Sequence, residues 1–335
     1  MQDLTPKYDR AVVSVDVRAA AAVLRDRLLR TPLLTSETLG RSFGGRALLK
    51  AELLQKTGSF KPRGVLTKLA SLSPEEKERG VIAASAGNHA GALAWACASE
   101  GVDCLVVMWQ GASPLKRAAA LGYGAAVDEE AAGPGEVFER LAELQAASGR
   151  VLVHPFDDPL VLAGQGTVGL EIVEAAPEVD VVVVPTGGGG LVSGIASALP
   201  ERRIVAVEPE GSAALHAALE AGRPVDVEAR SIADGLNAPF AGGHAVRICR
   251  ARGVESVLVT EEEIAEGFRF LYERAKLAAE PAGAAGVAAL LAGKVEAVEA
   301  ATVAVVVSGG NVEASTASGI LKRTDLSTDE DRDPS

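Results

Sequence analysis

At roughly 150 residues per domain, a chain of 335 residues is long enough for about two domains and a sizeable buried core. Hydrophobic residues make up 48% and charged residues 23%, which excludes disorder, collagen and coiled coil as descriptions of the whole chain. The 45 acidic residues outnumber the 33 basic ones and the formal net charge is −12, so the basic footprint of a nucleic-acid binder is absent.

Along the chain, short apolar runs alternate with longer Ala-rich segments. The runs predict strands at 47–52, 80–84, 103–108, 150–154, 180–186, 203–209, 256–260 and 302–308. Between them, HAGALAWACASE, SPLKRAAALG, GEVFERLAELQAASG, LVSGIASAL, EEEIAEGFRFLYERAKLAA and AGVAALLAG predict helices. Such alternation is the pattern of an α/β protein with mainly parallel sheets and helices on both faces. Aromatic residues are only 4% while Gly reaches 36, so the core is expected to consist largely of Ala, Val and Leu. The uncharged stretch from Val181 to Pro200 has the length of a membrane span, yet Pro185 and four consecutive glycines interrupt it. It reads as strand, tight turn and helix, and no membrane partner is expected. Residues 323–335 are polar and acidic and are expected to be disordered.

The N-terminal MQDLTPKYDRAVVSV has no basic head followed by an apolar run, so no signal peptide is expected. Cys97, Cys104 and Cys249 form no CxxC pair and fit neither a disulfide framework nor a zinc site, which points to a reducing, cytoplasmic setting. His89, His154, His216 and His244 are too scattered to suggest a metal cluster.

Three turns between strand and helix are unusual in composition. Gly187, Gly188, Gly189, Gly190 and Leu191 follow the strand DVVVVPT and open the helix LVSGIASAL. Backbone N–H groups of side-chain-free residues, together with the positive end of a helix, suit a phosphate. A plain tight turn would not need four glycines, each with its entropic cost. A dinucleotide is a competing guest, because Glu208 ends the next strand about twenty residues on, where a ribose-binding acid belongs. The G-x-G-x-x-G pattern is not matched, however, since Ser193 stands at its third glycine, and no Lys follows the glycines as a Walker loop requires.

The second turn is KTGSFKPRG, residues 56–64, with Pro62 suited to the first position of a helix. Lys61 then lies at the positive end of that helix, which should lower its pKa and favour the neutral amine that Schiff-base chemistry needs. A solvated surface lysine is the alternative. The third turn, Ser85-Ala86-Gly87-Asn88-His89, offers hydroxyl, amide and backbone donors suited to a carboxylate. Ser85 or Asn88 could instead be an N-cap, and His89 a packed or capping histidine.

KTGSFKPRG, SAGNHA, GGGGL and a late SGGN (Ser308 to Asn311) occur in an order that resembles the fold-type II pyridoxal-phosphate enzymes. The similarity is greatest to the threonine/serine dehydratases and serine racemases, and it extends over roughly residues 20–320. RTPLL, HPFDDPLVLAGQGT, IADG and EPAGAAG support it. The resemblance implies a fold like that of the tryptophan synthase β chain, with two open, mostly parallel sheets. It makes Lys61 the residue that holds the cofactor, with Phe60 near the ring, Asn88 on the ring hydroxyl and Ser308 facing the pyridine nitrogen. Gly187 to Leu191 would hold the phosphate, and Ser85, Ala86, Gly87, Asn88 and His89 the substrate carboxylate. It further implies a small domain at 81–155 inserted into a large one, residues 1–80 plus 156–322, and a homodimer or homotetramer. The implied reaction is elimination of the β-hydroxyl from L-threonine or L-serine, giving 2-oxobutyrate or pyruvate and ammonia, with Lys61 removing the Cα proton; another β-hydroxy amino acid is the alternative substrate.

The chain also departs from its relatives. Racemases resemble SSGNH at the third turn, their second serine donating a proton to the opposite face, whereas Ala86 has none to give. Elimination is therefore favoured over racemisation, and the His at position 89 differs from the SSGNTG of sulfhydrylase-like synthases. Glu208 matches one metal ligand of the racemases, but Ala214 stands where a second carboxylate is expected, so a metal is left unassigned. The substrate arginine of racemases has no counterpart in residues 128–139. Too few residues follow SGGN for a C-terminal regulatory domain, and feedback inhibition by isoleucine is not expected.

Overall fold

The computed structural model describes residues 15–322 apart from 134 and 297, so the acidic tail predicted at 323–335 lies outside the described residues. Its strands are β1 (Leu33–Thr35), β2 (Arg46–Ala51), β3 (Val81–Ala84), β4 (Cys104–Trp109) and β5 (Ala126–Ala131), then β6 (Val151–Leu152), β7 (Val181–Pro185), β8 (Arg203–Pro209), β9 (Glu255–Val259) and β10 (Thr302–Val307). They form two sheets, one of six strands ordered β1-β2-β10-β7-β8-β9 and one of four ordered β5-β4-β3-β6. Every pairing is parallel except that of β1 with β2. The expected α/β class with two open, mostly parallel sheets is what the chain adopts.

Strands in such a sheet are covered on both faces, which explains their unbroken apolar character. In β7 and β10, Val181, Val183, Val303, Val305 and Val307 enter one core layer, beside the helix Pro281–Leu291. Their neighbours Val182, Val184, Ala304 and Val306 enter the other, beside the helices Pro159–Ala175 and Gly190–Ala198. Each fully buried valine contributes roughly 1.5–3 kcal/mol of transfer free energy. The smaller sheet is likewise sandwiched, with Val81, Ala83 and Val106 on one face and Ile82, Ala84 and Val107 on the other. Leu24, Val65, Leu66 and Leu69 join the first of these layers, so segments before residue 81 also pack on this sheet.

Eight strands fall where the sequence predicts them, although β6 is only two residues long. β1 and β5 were not predicted: β1 is three residues long, and β5, AVDEEA, carries charges that pair with Arg140. The helix Pro159–Ala175 was not predicted either. It is buried almost all round and so lacks a polar face, and its glycines permit crossings that side chains would block. A Cβ on Gly166, for instance, would meet the carbonyl oxygen of Gly194 at 2.5 Å.

The loops that follow β2, β3, β7 and β10 carry the four motifs, at the carboxyl ends where ligands bind in open α/β sheets.

Candidate active site

A cavity of about 730 Å³ lies where the two sheets meet, and all the expected site residues line it: Phe60, Lys61, Ser85 to His89, Gly187 to Leu191, and Ser308. Lys61 is the residue before the helix Pro62–Ala70, with Pro62 at its first position as predicted. Its amine donates to the carbonyl of Pro155 at 2.9 Å and lies 5.1 Å from the centre of the Phe60 ring. Burial pushes the Lys61 pKa down to about 8, against the pull of the Glu280 carboxylate. The direction is the expected one, but desolvation is its main cause, where the sequence reading invoked the helix dipole.

Pro155 is held by the segment around it. His154 is kept neutral by burial, which pushes its pKa down to about 4, and its Nδ1 accepts from the backbone N–H of Asp157 at 2.8 Å. Asp157 in turn accepts from the N–H groups of Gly243 and His244, both at 2.9 Å, at the start of the helix Gly243–Arg252. Asp158 caps the helix Pro159–Ala175. This stretch entered the sequence reading only as support for a resemblance, and its part in placing the Lys61 acceptor was missed.

The glycine loop is a preformed cradle. Gly189 has φ +87°, a conformation that disfavours a side chain, and a Cβ on Gly188 would collide with the Phe156 ring. The helix Gly190–Ala198 has no side-chain cap on its first N–H groups. The SAGNH loop is built otherwise. Gly87, not Ser85 or Asn88, occupies the N-cap position of the helix Asn88–Glu100, and the Ser85 hydroxyl accepts from the Gly87 N–H at 3.1 Å. His89 is packed: its Nε2 donates to the Val153 carbonyl at 2.9 Å, and burial, aided by the charge of Lys61, pushes its pKa down to about 3.

The Asn88 amide bridges two other segments. Its Nδ2 donates to Glu280 Oε1 at 2.6 Å, and its Oδ1 accepts from Asn311 Nδ2 at 2.9 Å. The carbonyl of Ser308, the residue expected on the ring nitrogen, accepts from the Phe60 N–H at 3.1 Å. Glu280 and Gln165 also line the cavity and were not singled out from the sequence. A lone carboxylate just before Pro281 and an Ala-rich helix was the signal available for Glu280. Both amide atoms of Gln165, His89 Nδ1 and Glu280 Oε2 are buried without a hydrogen-bond partner among the described residues. Such atoms call for a polar ligand.

Glu208 is remote from this chemistry. Its oxygens accept from the N–H groups of Leu215 and His216, at 2.7 and 2.8 Å, and from the Ser256 hydroxyl. It ties the start of the helix Ala214–Ala221 to β8. Among the described residues no group of three or more His, Cys, Asp or Glu is placed to hold a metal ion, and no helix is long and apolar enough to cross a membrane.

The cavity ends in aromatic rings. Phe156 lies edge-on to Phe240 with centroids 5.5 Å apart, and Phe240 lies 6.0 Å from Phe138 of the helix Val137–Ser148. The three span from the glycine loop to the smaller sheet.

Comparison with known proteins agrees with this geometry. The chain is 43% identical to an L-threonine ammonia-lyase of Thermotoga maritima over 92% of its own length and 78% of the relative's. The solved T.th. threonine deaminase is 42% identical and superimposes with a TM-score of 0.83, covering 89% of this chain and 98% of that one. Maize serine racemase is 32% identical with a TM-score of 0.87, covering 93% and 98%. The two-sheet architecture is that of fold-type II. Residues 24–309 match the family described as pyridoxal-phosphate dependent enzyme. With its glycine loop and its buried lysine lining one cavity, the chain belongs to the pyridoxal-phosphate dependent enzymes.

Proposed function

We propose that this enzyme is an ammonia-lyase that removes the β-hydroxyl and the amino group of L-threonine, and of L-serine less readily, yielding 2-oxobutyrate or pyruvate. The observation that carries the reading is the Lys61 amine, desolvated in the cavity between the glycine loop and the SAGNH loop. Lys61 would bear the cofactor, with Gly187 to Leu191 around its phosphate, Asn88 on its ring hydroxyl, Phe60 beside the ring and Ser308 at the ring nitrogen. When bound, pyridoxal phosphate supplies an aldehyde for the substrate amine and a sink for the electron pair formed at Cα. Lys61 would take the Cα proton as a neutral base, and the β-hydroxyl, gaining a proton, would leave as water. The enamine that remains is hydrolysed to the 2-oxo acid and ammonia.

Ser85, Ala86, Gly87, Asn88 and His89 would hold the substrate carboxylate. Phe138, Phe156 and Phe240 form an apolar end to the cavity that favours the methyl group of threonine. The names of the relatives support the same substrate, and Ala86 opposes a racemase, having no exchangeable proton for the second face. We also infer that residues 81–155 form a small domain on a large one made of 1–80 and 156–322, and that the enzyme is a cytoplasmic homodimer or homotetramer. The buried free thiols of Cys97, Cys104 and Cys249 are in keeping with a reducing compartment.

The test is 2-oxo acid release from L-threonine and L-serine in the presence of pyridoxal phosphate. A kcat/KM ratio of about tenfold or more in favour of threonine is expected, the value of one methyl in an apolar pocket, and Phe240→Ala should reduce it. No 2-oxo acid from either substrate, or D-serine as the main product, would defeat the reading.

A further inference from the structure

Glu280 is 1% exposed and immediately precedes Pro281, yet it makes no side-chain capping bond to the helix Pro281–Leu291. Its burial therefore has no explanation in that helix. Oε1 accepts from Asn88, and Oε2, also buried, has no partner among the described residues.

The direction of the Asn88 amide can be derived from the groups around it. The Thr57 carbonyl can only accept, so Asn311 must turn its Nδ2 toward it, at 2.8 Å. The second hydrogen of that nitrogen goes to Asn88 Oδ1 at 2.9 Å. Asn88 is left with Nδ2 toward Glu280, whose Oε1 accepts at 2.6 Å. One hydrogen of Asn88 Nδ2 then remains for a ligand. The order is anchored in the KTGSFK turn, where Thr57 has φ +61° and a Cβ on Gly58 would meet Asn311 Oδ1 at 2.5 Å.

Three charged side chains act on Glu280: Lys61 before the helix Pro62–Ala70, Lys116 of the helix Pro114–Gly122, and Asp234 of the turn Asp234–Leu236. Lys116 and Asp234 form an ion pair with each other. The cation left to be balanced by Glu280 is Lys61. Burial, opposed by those two lysines and by the Asn88 bond, pushes the Glu280 pKa up to about 7.

We propose that Glu280 is a positioning residue of this active site, one that holds the Asn88 amide in a single orientation and supplies the buried negative charge that balances Lys61. The proposal rests on the reading of Lys61 as the residue that bears the cofactor. It assigns to EPAGAAG a task beyond packing.

The holoenzyme tests it when the visible absorbance of the bound cofactor is followed against pH in wild type, Glu280→Gln, Glu280→Ala and Glu280→Asp. Gln can still offer an oxygen to Asn88 but carries no charge. Its midpoint is expected about one pH unit below that of wild type, a tenfold weaker hold on the proton. Ala should show the same displacement and also release the cofactor more readily, because Asn88 then keeps only the Asn311 side of its two anchors. Asp keeps the charge and should stay closer to wild type. Gln preserves the size of the side chain and the acceptor for Asn88, and either uncharged variant suffices should the other fail to fold. Coincident midpoints in wild type and the uncharged variants would overturn the proposal. Borohydride reduction of wild type followed by peptide mapping reports separately on its basis. Label found elsewhere than on Lys61 removes the cofactor reading and the proposal with it. Label on Lys61 with coincident midpoints removes only the role of Glu280.

Discussion

Arg63 and Lys61 are two residues apart, and both meet carboxylates in the interior, but in different company. The Arg63 guanidinium donates to both oxygens of Glu52 at 2.8 Å, to both oxygens of Glu171 at 2.6 and 3.0 Å, and to the Thr167 hydroxyl at 3.1 Å. Lys50 adds a second cation, bonded to Glu171 and to the Thr31 carbonyl at 2.8 Å. In this cluster every charge has an opposite charge in hydrogen-bond contact. Lys61 has only the Pro155 carbonyl, and Glu280, the carboxylate whose charge it feels, keeps one oxygen without a partner. A saturated cluster fixes the helix start, whereas an unsaturated pair leaves proton affinities free to be shifted and used.

The contrast can be broken most directly at Lys61. Lys61→Ala is expected to lower 2-oxo acid release by at least about ten-thousandfold, since both the base and the attachment point are lost. Its unfolding free energy should change far less than that of Arg63→Leu, as no hydrogen-bonded ion pair is broken. A comparable loss of stability in denaturant titration would mean that Lys61 is structural after all. Arg63→Leu should do the reverse and reduce the unfolding free energy by about 3–5 kcal/mol, because Glu52 and Glu171 are stranded. If that variant were as stable as wild type, the saturated cluster would not be holding the helix start. Lys50→Met leaves Glu171 with Arg63, so the expected loss is smaller, about 1–3 kcal/mol.

The mildest test is pH. An amine must be neutral to attack an aldehyde, so capture of added pyridoxal phosphate by cofactor-free enzyme should speed up as pH rises and level off near 8, following the lowered pKa of Lys61. An ordinary lysine would go on gaining until about 10.4. The sign for stability is the same. Above pH 8 the folded state has released a proton that the unfolded chain still binds, so the contribution of Lys61 to stability rises with pH through that window. A capture rate still climbing well above about pH 9 would show that Lys61 is not desolvated.

Much of this was legible in the sequence. The glycine loop, the lysine turn and the SAGNH turn announce themselves because glycine, proline and short polar residues have few other reasons to cluster between a strand and a helix. The residues that complete the site do not. Glu280 and Gln165 lie in segments whose composition is otherwise that of an Ala- and Gly-rich buried helix, and their meaning comes from what they fail to contact. Pro155 acts through a backbone carbonyl, which no residue type reveals. The helix Pro159–Ala175 escaped because burial on all sides erases the periodicity by which helices are read. β5 escaped for the opposite reason, an edge strand whose charged side chains pair with Arg140.

The order of the larger sheet has a consequence for the birth of the enzyme. β10, the last of the described strands to leave the ribosome, is not added at an edge but lies between β2 and β7, in register with Arg46 to Ala51 on one side and Val181 to Val183 on the other. Until Thr302–Val307 has been synthesised, the inner edges of β2 and β7 stay open and the sheet cannot close. Asn311 and Ser308 arrive with the same strand. The nascent chain therefore carries Lys61 for most of its synthesis without a pocket around it, and competence to bind a cofactor arises in one late step, when the seam is zipped.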